Sequence, residues 1–120
     1  MKIDLDLVDC IFLDFDGVLT DNKVTLSSDG KEYVTCSRSD GLAIDILKRL
    51  KKEIIIISTE QSSVVKHRAN KLKIQCYQKI SNKEKELIKI ASKNNIKLSK
   101  SIFIGNDVND LKAMKLCKYS

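Results

Sequence analysis

Two aspartates separated by one residue, Asp14 and Asp16, directly follow the apolar segment 11–13 and precede Gly17. Such a segment is typical of a buried strand in a parallel sheet, and open α/β sheets bind ligands at the carboxyl ends of their strands. Because side chains alternate along a strand, carboxylates two residues apart start on the same face and can converge on one site. Phe15, which lies between them, is expected to point into the core.

Two carboxylates buried at one site destabilise each other unless a cation or a proton offsets their repulsion. Mg²⁺ together with a phosphate ester meets this need, because Mg²⁺ binds a few carboxylates and keeps waters and phosphate oxygens as its other ligands. The same residues also have a purely structural interpretation, since Asp-Gly is a common turn dipeptide. The motif alone therefore leaves two alternatives open, a metal site that handles phosphate and a capped turn.

The composition indicates one domain with an aliphatic core. The chain has 120 residues, of which 42% are hydrophobic but only 5% aromatic, so Ile, Leu and Val must supply most of the core. Its four cysteines are widely spaced and include no Cys-x-x-Cys pair, which favours buried reduced thiols over a metal site or disulfides. The sequence contains no signal peptide and no apolar stretch of membrane-spanning length, so we predict a cytoplasmic protein without membrane contact.

The formal net charge of +6 raises the question of nucleic-acid binding. The lysines are scattered over predicted helix surfaces, aromatic residues are few, and no nucleic-acid-binding motif is recognisable. We therefore attribute the charge mainly to solvation and predict no nucleic-acid partner. A secondary effect of the charge would be the attraction of anionic substrates.

Strand-like and helix-like segments alternate along the chain. Apolar runs predict strands at 11–13, 54–57, 74–77 and 101–104, and a β-hairpin is predicted where segments 23–26 and 32–36 flank a turn. Ser39 and Asp40 are candidate caps for the first helix. The residues predicted to form the apolar faces of the four helices are Leu42, Ala43, Ile46, Leu47 and Leu50; Val64, Val65, Ala69 and Leu72; Leu87, Ile88 and Ala91; and Leu111, Met114 and Cys117.

This alternation, with short connections, predicts right-handed crossovers and a parallel sheet that has helices on both faces. The carboxyl ends of all its strands then lie at one edge. Asp14, Asp16, Ser58 and the pair Asp107 and Asp110 each come just after a predicted strand. The topology alone would therefore bring these side chains together.

Four segments resemble the motifs of the haloacid dehalogenase (HAD) superfamily of phosphohydrolases, in the expected order. The resemblance spans nearly the whole chain and implies a three-layer Rossmann-like α/β fold with a small β-hairpin after the first strand and no cap domain. It points to the capless phosphatase branch, which contains 3-deoxy-manno-octulosonate 8-phosphate phosphatase, deaminoneuraminate 9-phosphate phosphatase and the phosphatase-like C-terminal domain of acylneuraminate cytidylyltransferases. The four segments are Asp14-Phe15-Asp16-Gly17-Val18-Leu19-Thr20, Ser58 after the strand 54–57, Lys83 in Asn82-Lys83, and Gly105-Asn106-Asp107-Val108-Asn109-Asp110.

The resemblance implies a Mg²⁺-dependent phosphatase and a role for each motif. Asp14 would be the nucleophile that forms an aspartyl-phosphate, and Asp16 the general acid and base, with its backbone carbonyl also binding Mg²⁺. Ser58 would donate a hydrogen bond to a phosphoryl oxygen, and Lys83 would offset the charges of the nucleophile and the phosphate. Without the family, Ser58 is equally well a polar strand end, and Lys83 is an ordinary lysine at the start of a helix.

The fourth motif departs from the family pattern, because Asn106 occupies a position where many relatives have Asp. An amide offers Mg²⁺ only a neutral oxygen, so we assign the direct carboxylate contact to Asp107, beside Asp14 and Asp16. Asn106 and Asp110 are assigned supporting contacts, and a weaker metal affinity is expected. The same loop also suits a helix cap, and the two roles are compatible.

The segment after the second predicted strand of the sheet is where we expect substrate selection. Octulosonate phosphatases typically have Thr-Gly-Arg there, whereas residues 58–60 of this chain are Ser-Thr-Glu, which favours the nonulosonate side of the branch. We predict that Thr59, Glu60, Lys71 and Arg68 bind substrate, with Glu60 accepting sugar hydroxyls and Lys71 meeting a carboxylate. The alternative for these residues is a solvated loop and a solvated helix face.

Two functions fit these expectations. The first is a phosphatase for a small phosphorylated sugar acid, of the nonulosonate 9-phosphate or octulosonate 8-phosphate type. The second is a non-catalytic or weakly active oligomerisation module associated with an acylneuraminate cytidylyltransferase. The resemblance also implies a homo-oligomer, by analogy a tetramer, and a single domain over residues 1–120 that lacks the C-terminal strand and tail of its relatives.

Overall fold

A four-stranded parallel sheet forms the centre of the computed structural model, which describes residues 2–120. The elements in chain order are β1 (Cys10–Leu13), β2 (Thr25–Leu26), β3 (Glu32–Tyr33), α1 (Arg38–Arg49), β4 (Glu53–Ile57), α2 (Val64–Leu72), β5 (Gln75–Tyr77), α3 (Lys83–Lys93), β6 (Ser101–Ile104) and α4 (Leu111–Met114). Within this part of the chain, no helix is both long and apolar enough to cross a bilayer.

The strands are ordered β5-β4-β1-β6, and every neighbouring pair is parallel. Cys10 is aligned with Glu53 of β4 on one side and with Ser101 of β6 on the other. The N-terminal strand is therefore central, and its carboxyl end lies between the ends of two later strands. This arrangement confirms the predicted three-layer α/β fold, in which the strand ends share one edge.

Alternating residues of the strands build two apolar cores, one on each face of the sheet. Ile11 and Ile56 face α1 and α2, whereas their neighbours Phe12 and Ile55 face α3 and α4. The rings of Phe12 and Phe103 stack with their centroids 6.5 Å apart. Phe15 is fully buried in the first core, as predicted.

The hairpin lies where it was predicted, although its paired segments are shorter. β2 and β3 are antiparallel, with Thr25 opposite Tyr33 and Leu26 opposite Glu32. The turn between them closes with a hydrogen bond from the Gly30 backbone N–H to the Ser27 carbonyl (3.0 Å), and Gly30 has a φ of +82° that suits glycine. Both strands are exposed.

Two expectations about α1 are wrong. The helix is capped by Ser37, whose Oγ accepts a hydrogen bond from the Ser39 N–H (3.2 Å), and not by Ser39 or Asp40. The predicted apolar face also does not lie wholly against the sheet, because Ile44 is the buried residue of this helix. The apolar arc of α1 is wider than the sheet can cover, so part of it remains in water.

The C-terminal segment runs beside β6. α4 ends at Met114, earlier than the predicted face extending to Cys117. Tyr119 then forms a parallel bridge with Ile102, and the Phe103 N–H donates to the Tyr119 carbonyl (3.0 Å). Tyr119 therefore pairs with the outer edge of β6, where a fifth strand of the sheet would lie.

The four cysteines are free, and their burial differs. Cys10 is fully buried, whereas Cys36, Cys76 and Cys117 are half-buried, so the prediction of buried thiols holds completely only for Cys10. Burial raises the pKa of the Cys117 thiol to about 11. A thiol with this pKa remains protonated and weakly nucleophilic at neutral pH.

Gly41, inside α1, offers a test of this packing. A Cβ built at Gly41 would lie 3.7 Å from Cδ2 of Leu72, which is an ordinary contact distance. We therefore expect Gly41→Ala to raise the free energy of unfolding by about 0.5–1 kcal/mol, because alanine loses less backbone entropy in a helix. Urea unfolding followed by circular dichroism measures the change, and a destabilised variant would contradict this packing.

Candidate active site

A buried lysine joins two buried aspartates at the carboxyl edge of the sheet. Nζ of Lys83 lies 2.7 Å from Oδ1 of Asp14 and 2.6 Å from Oδ1 of Asp110. All three side chains are almost completely inaccessible to solvent. Asp14 directly follows β1, Lys83 opens α3, and Asp110 follows β6, so three elements that are distant in the sequence meet at this ion-pair cluster.

Lys83 is held in place by the start of its helix. Asn82 caps α3, and its Oδ1 accepts a hydrogen bond from the Lys85 N–H (2.9 Å). The cap fixes the first turn, which presents Lys83 to the interior while Lys85 remains exposed. A charged amine is stable in this position only because two carboxylates receive it.

Asp110 holds both Lys83 and the loop that follows β6. Its second oxygen, Oδ2, accepts from the backbone N–H groups of Asn106 (3.2 Å) and Asp107 (3.3 Å). A Cβ on Gly105 would lie 2.6 Å from that oxygen, so the loop closes around Asp110 only because residue 105 has no side chain. We predicted a supporting metal contact for Asp110, whereas both of its oxygens are engaged by protein groups.

The loop after β1 is locked by a threonine and by close contact with the loop after β6. Oγ1 of Thr20 accepts from the backbone N–H of Gly17 (3.1 Å), which has a φ of +83°. A Cβ on Gly17 would lie 2.0 Å from Nδ2 of Asn106, so the Asn106 side chain lies directly over this glycine. By contrast, Asp107 accepts from the Val108 N–H (2.6 Å) and caps the short 3₁₀ turn Val108–Asp110.

Burial raises the pKa values of Asp14 and Asp16. Desolvation raises the pKa of Asp14, against the opposing effect of the hydrogen bond and charge of Lys83. Desolvation also raises the pKa of Asp16, and the negative charges of Glu60 and Asp14 add to the shift. A raised pKa suits a group that must carry a proton before it gives that proton away.

The segment after β4 contributes one buried hydroxyl and one carboxylate to the same edge. Ser58 is buried, and its Oγ accepts from the Glu60 N–H (3.1 Å). Glu60 in turn accepts from the N–H groups of Gln61 (2.6 Å) and Ser62 (2.8 Å), so its carboxylate also organises the turn. Thr59 is exposed. The negative charge of Glu60 raises the pKa of Asp16, so the two carboxylates interact electrostatically.

Within residues 2–120, neither Arg68 nor Lys71 forms an ion pair with the aspartates of the site. Nη2 of Arg68 donates to the Ser37 carbonyl (2.7 Å) and thereby fixes the segment that leads into α1. Lys71 is exposed in the last turn of α2. Because a crossover helix runs antiparallel to the strands it joins, that last turn lies toward the amino edge of the sheet. The position of Lys71 could not be predicted from sequence spacing, because spacing does not show which turns of a helix lie near the site.

The oxygen atoms at this edge suit Mg²⁺ in an open site. In residues 2–120, no three His, Cys, Asp or Glu side chains cluster closely enough to enclose a metal by themselves. Mg²⁺ rarely needs such a cage, because it binds one or two carboxylates and completes its shell with water and phosphate oxygens. The Asp14 carboxylate, the Asp16 carbonyl and the side chains of Asn106 and Asp107 are donors of the right chemistry.

Three small residues on which this geometry depends were assigned no role from the sequence. Thr20 holds the first loop, Gly17 makes room for Asn106, and Gly105 makes room for Asp110. A weak signal was present, because Gly17 and Thr20 belong to the first motif segment and Gly105 belongs to the fourth. Their roles depend on contacts between segments, which a single sequence does not display.

Replacement of Lys83 by methionine tests the buried cluster. The variant leaves Asp14 and Asp110 without their cation, so we expect a loss of about 3–5 kcal/mol in the free energy of unfolding near neutral pH. Because Lys83 lowers the pKa of Asp14, its removal raises that pKa further, and the folded state then holds protons that the unfolded state releases. The loss should therefore shrink as the pH falls.

Denaturant unfolding at several pH values measures this loss, with Lys85→Met as the matched control. Lys85 lies two residues further along α3 and is exposed, so its replacement should change stability by no more than about 0.5 kcal/mol. Equal effects of the two substitutions would contradict the buried cluster.

Comparison with solved structures finds close matches over nearly the whole chain. A structure assigned to the HAD family of hydrolases, from Streptomyces avermitilis MA-4680, is 38% identical with a TM-score of 0.93, and the match covers 98% of this chain and 67% of that one. A 3-deoxy-D-manno-octulosonate 8-phosphate phosphatase from Moraxella catarrhalis, solved with magnesium, phosphate and KDO, is 31% identical with a TM-score of 0.88. That match covers 94% of this chain and 66% of the other.

A curated relative is more distant and much longer. The N-acylneuraminate cytidylyltransferase of Oncorhynchus mykiss is 25% identical over 119 residues, which are 96% of this chain but only 28% of that protein. No family model matches the sequence. The identity to the Streptomyces structure, together with its coverage of both chains, shows that this chain belongs to the HAD family.

Proposed function

We propose that this chain is a Mg²⁺-dependent phosphomonoester hydrolase that acts through an aspartyl-phosphate on a phosphorylated sugar acid. The observation that carries the proposal is the buried contact of Lys83 with Asp14 and Asp110, beside Asp16 at the carboxyl edge of the sheet. A purely structural domain gains little from such a cluster, because apolar residues of similar volume stabilise a fold at least as well.

In the proposed reaction, a carboxylate oxygen of Asp14 attacks the phosphorus atom, and the bond to the sugar oxygen breaks. Asp16 donates its proton to that departing oxygen, which leaves as the sugar alcohol. Asp16, now a carboxylate, takes a proton from a water molecule that attacks the phosphorus of the aspartyl-phosphate. The bond between phosphorus and the Asp14 oxygen breaks, inorganic phosphate leaves, and Asp14 is again a carboxylate while Asp16 is again protonated.

Lys83 supports this reaction by its fixed charge. Its amine lies 2.7 Å from the attacking group, so it offsets the repulsion between Asp14 and the phosphate. Because Asp110 also holds the amine, Lys83 is positioned before substrate arrives, and little reorganisation is needed during the reaction. Ser58, buried at the neighbouring strand end, is the proposed donor to a phosphoryl oxygen.

Mg²⁺ would be held by the Asp14 carboxylate, the Asp16 backbone carbonyl and one side chain of the loop after β6. When bound, it supplies positive charge that screens the phosphate and orients it for attack. Asn106 is a stronger candidate for the third position than we predicted, because its side chain lies over Gly17. Asp107 supplies a carboxylate but also caps the turn that follows.

The substrate class rests on the chemistry of the relatives. The Moraxella structure pairs magnesium and phosphate with KDO, a sugar acid, and the longer curated relative is by name an enzyme of acylneuraminates. Thr59 and Glu60 directly follow the buried Ser58 at the end of β4, which supports a role in substrate contact, whereas Arg68 supports the segment before α1. We therefore retain Thr59 and Glu60 as proposed substrate contacts, with nonulosonate 9-phosphates and octulosonate 8-phosphate as the substrates to test.

Phosphate release from a panel of these sugar phosphates, with and without Mg²⁺, tests the proposal. We expect turnover that needs Mg²⁺ and that falls at least about 1,000-fold in Asp14→Asn, because an amide cannot form the aspartyl-phosphate. Asp9→Asn is the matched control, since Asp9 is an exposed residue at the opposite end of the same strand. Turnover that survives in Asp14→Asn would overturn the proposed nucleophile.

The two candidates for the third metal contact can be separated by binding alone. We expect Asn106→Asp to tighten Mg²⁺ binding about tenfold or more, because a carboxylate replaces a neutral oxygen beside Gly17. Asp107→Asn should have the smaller effect if Asn106 is the ligand. Thermal unfolding at increasing Mg²⁺ concentration measures both affinities without any turnover. A larger effect at Asp107 would restore our original assignment.

The second candidate function is an oligomerisation module associated with an acylneuraminate cytidylyltransferase. The match to the Oncorhynchus protein supports it, because 96% of this chain aligns with a part of that enzyme. A folded, Mg²⁺-loaded sample that forms a stable oligomer but releases no phosphate from any substrate of the panel would favour this function over the phosphatase.

A further inference from the structure

A polar groove runs along the free edge of the sheet, between α2 and β5. Within residues 2–120, β5 is the outermost strand and pairs only with β4. The groove has a volume of about 630 Å³, which lies in the usual range of binding sites for small molecules. None of the residues assigned to the candidate active site lines it. We call it the β5 groove.

The lining of the β5 groove is cationic and rich in amides. Lys66 and Lys79 contribute two amines, and no Asp or Glu side chain is among the described residues that line the groove. Two amines without carboxylates suit an anionic ligand. An amide presents both a donor and an acceptor, as a hydroxyl does, so carboxamides suit a ligand that carries several hydroxyls. Most of the other polar lining groups are carboxamides, from Gln61, Asn70, Gln75 and Gln78.

The protein neutralises neither of the two lysines. Within the part of the chain that the structure describes, Lys66 and Lys79 are exposed and form no ion pair, whereas Lys83 is received by two aspartates. Burial raises the pKa of the Cys76 thiol, which also lines the groove, and the charge of Lys66 opposes this shift. The positive charge of Lys66 therefore acts within the β5 groove.

The backbone holds Lys79 in a fixed turn at the carboxyl end of the groove. Its N–H donates to the Glu60 carbonyl (3.2 Å), and the N–H of Ile80 donates to the Ser58 carbonyl (3.1 Å). Lys79 has a φ of +62°, a left-handed conformation that glycine adopts without strain. The turn positions Lys79 before any ligand arrives, and the amine can be removed by a substitution that suits the backbone.

Gln78 offers an acceptor that the protein leaves unpaired. Its Nε2 donates to the Ser62 carbonyl (3.3 Å), which fixes the orientation of the amide. Its Oε1 is buried and accepts no hydrogen bond within residues 2–120. Buried polar atoms nearly always have a partner, so an unpaired acceptor in the wall of a groove indicates a place where a ligand can donate.

We propose that the β5 groove is a second binding site, for a small anionic compound with several hydroxyl groups, the chemistry that sugar phosphates and sugar acids share. The anionic group binds Lys66 and Lys79, and the hydroxyls bind the carboxamides, including the free acceptor of Gln78. The site is separate from the aspartates, and the proposal does not depend on the phosphatase activity.

NMR titration of the isotopically labelled full chain, without Mg²⁺, tests the proposal. The probes are glucose 6-phosphate and N-acetylneuraminate, with inorganic phosphate and glucose for comparison. We expect the first two to cause saturable shifts, at millimolar concentrations, in the side-chain amide signals of Gln61, Asn70 and Gln78. Glucose lacks the charge and phosphate lacks the carbon-bound hydroxyls, so each should bind the groove at least about tenfold more weakly.

Lys66→Gln and Lys79→Gly each remove one of the two amines. Each should weaken the binding of glucose 6-phosphate about tenfold, because a hydrogen bond to a charged group is lost. Lys79→Gly should keep the fold, since glycine readily adopts a φ of +62°. Lys93→Gln is the matched control, because Lys93 is exposed in the last turn of α3 and does not line the groove. It should leave the affinity unchanged.

Three outcomes would overturn the proposal. The first is the absence of saturable shifts with both glucose 6-phosphate and N-acetylneuraminate, or shifts confined to the loops after β1 and β6. The second is an affinity of the groove that neither lysine variant changes. The third is binding of phosphate or glucose as tight as that of glucose 6-phosphate. Because binding is read at individual residues, the result is independent of whether the chain hydrolyses any phosphate ester.

Discussion

The fold depends on how a lysine charge is kept stable in the protein interior. Lys83 is buried, and removing an amine from water is costly unless carboxylates surround it. Asp14 and Asp110 provide this compensation, but only if the ends of β1 and β6 lie side by side and the first turn of α3 points between them. The strand order, the Asn82 cap and the two glycine-containing loops all serve this single constraint.

The same cluster explains why the edge of the sheet can be both stable and reactive. Lys83 compensates much of the charge of Asp14, yet desolvation still raises the pKa of that carboxyl group. Desolvation raises the pKa of Asp16 as well, and the negative charge of Glu60 acts in the same direction. The edge therefore has a surplus of buried negative charge, and a divalent cation relieves that surplus. Affinity for a metal is then a consequence of incomplete compensation within the protein.

The sequence allowed prediction of whatever depends on strand order and on residue type. The strand ends carry Asp14, Ser58 and Asp110, and a parallel topology brings them to one edge without further information. The predictions failed where the position of a side chain depends on how its helix is rotated about its axis or on how far along the helix the residue lies from the site. α1 is apolar around more than half of its circumference, so periodicity could not identify its buried side, and Lys71 lies at the remote end of α2.

The central position of β1 has a consequence for the order in which the chain folds. Cys10 pairs with Glu53 and with Ser101, so an early segment must wait for partners that are made much later. Contacts of such long sequence separation close slowly, because loop entropy is lost before they form. During synthesis, the cluster of Asp14, Lys83 and Asp110 can form only after residue 110 has left the ribosome. Assembly of the Lys83 cluster and completion of the sheet thus become a single late event, and partly made chains would carry Asp14 and Asp16 without this cluster.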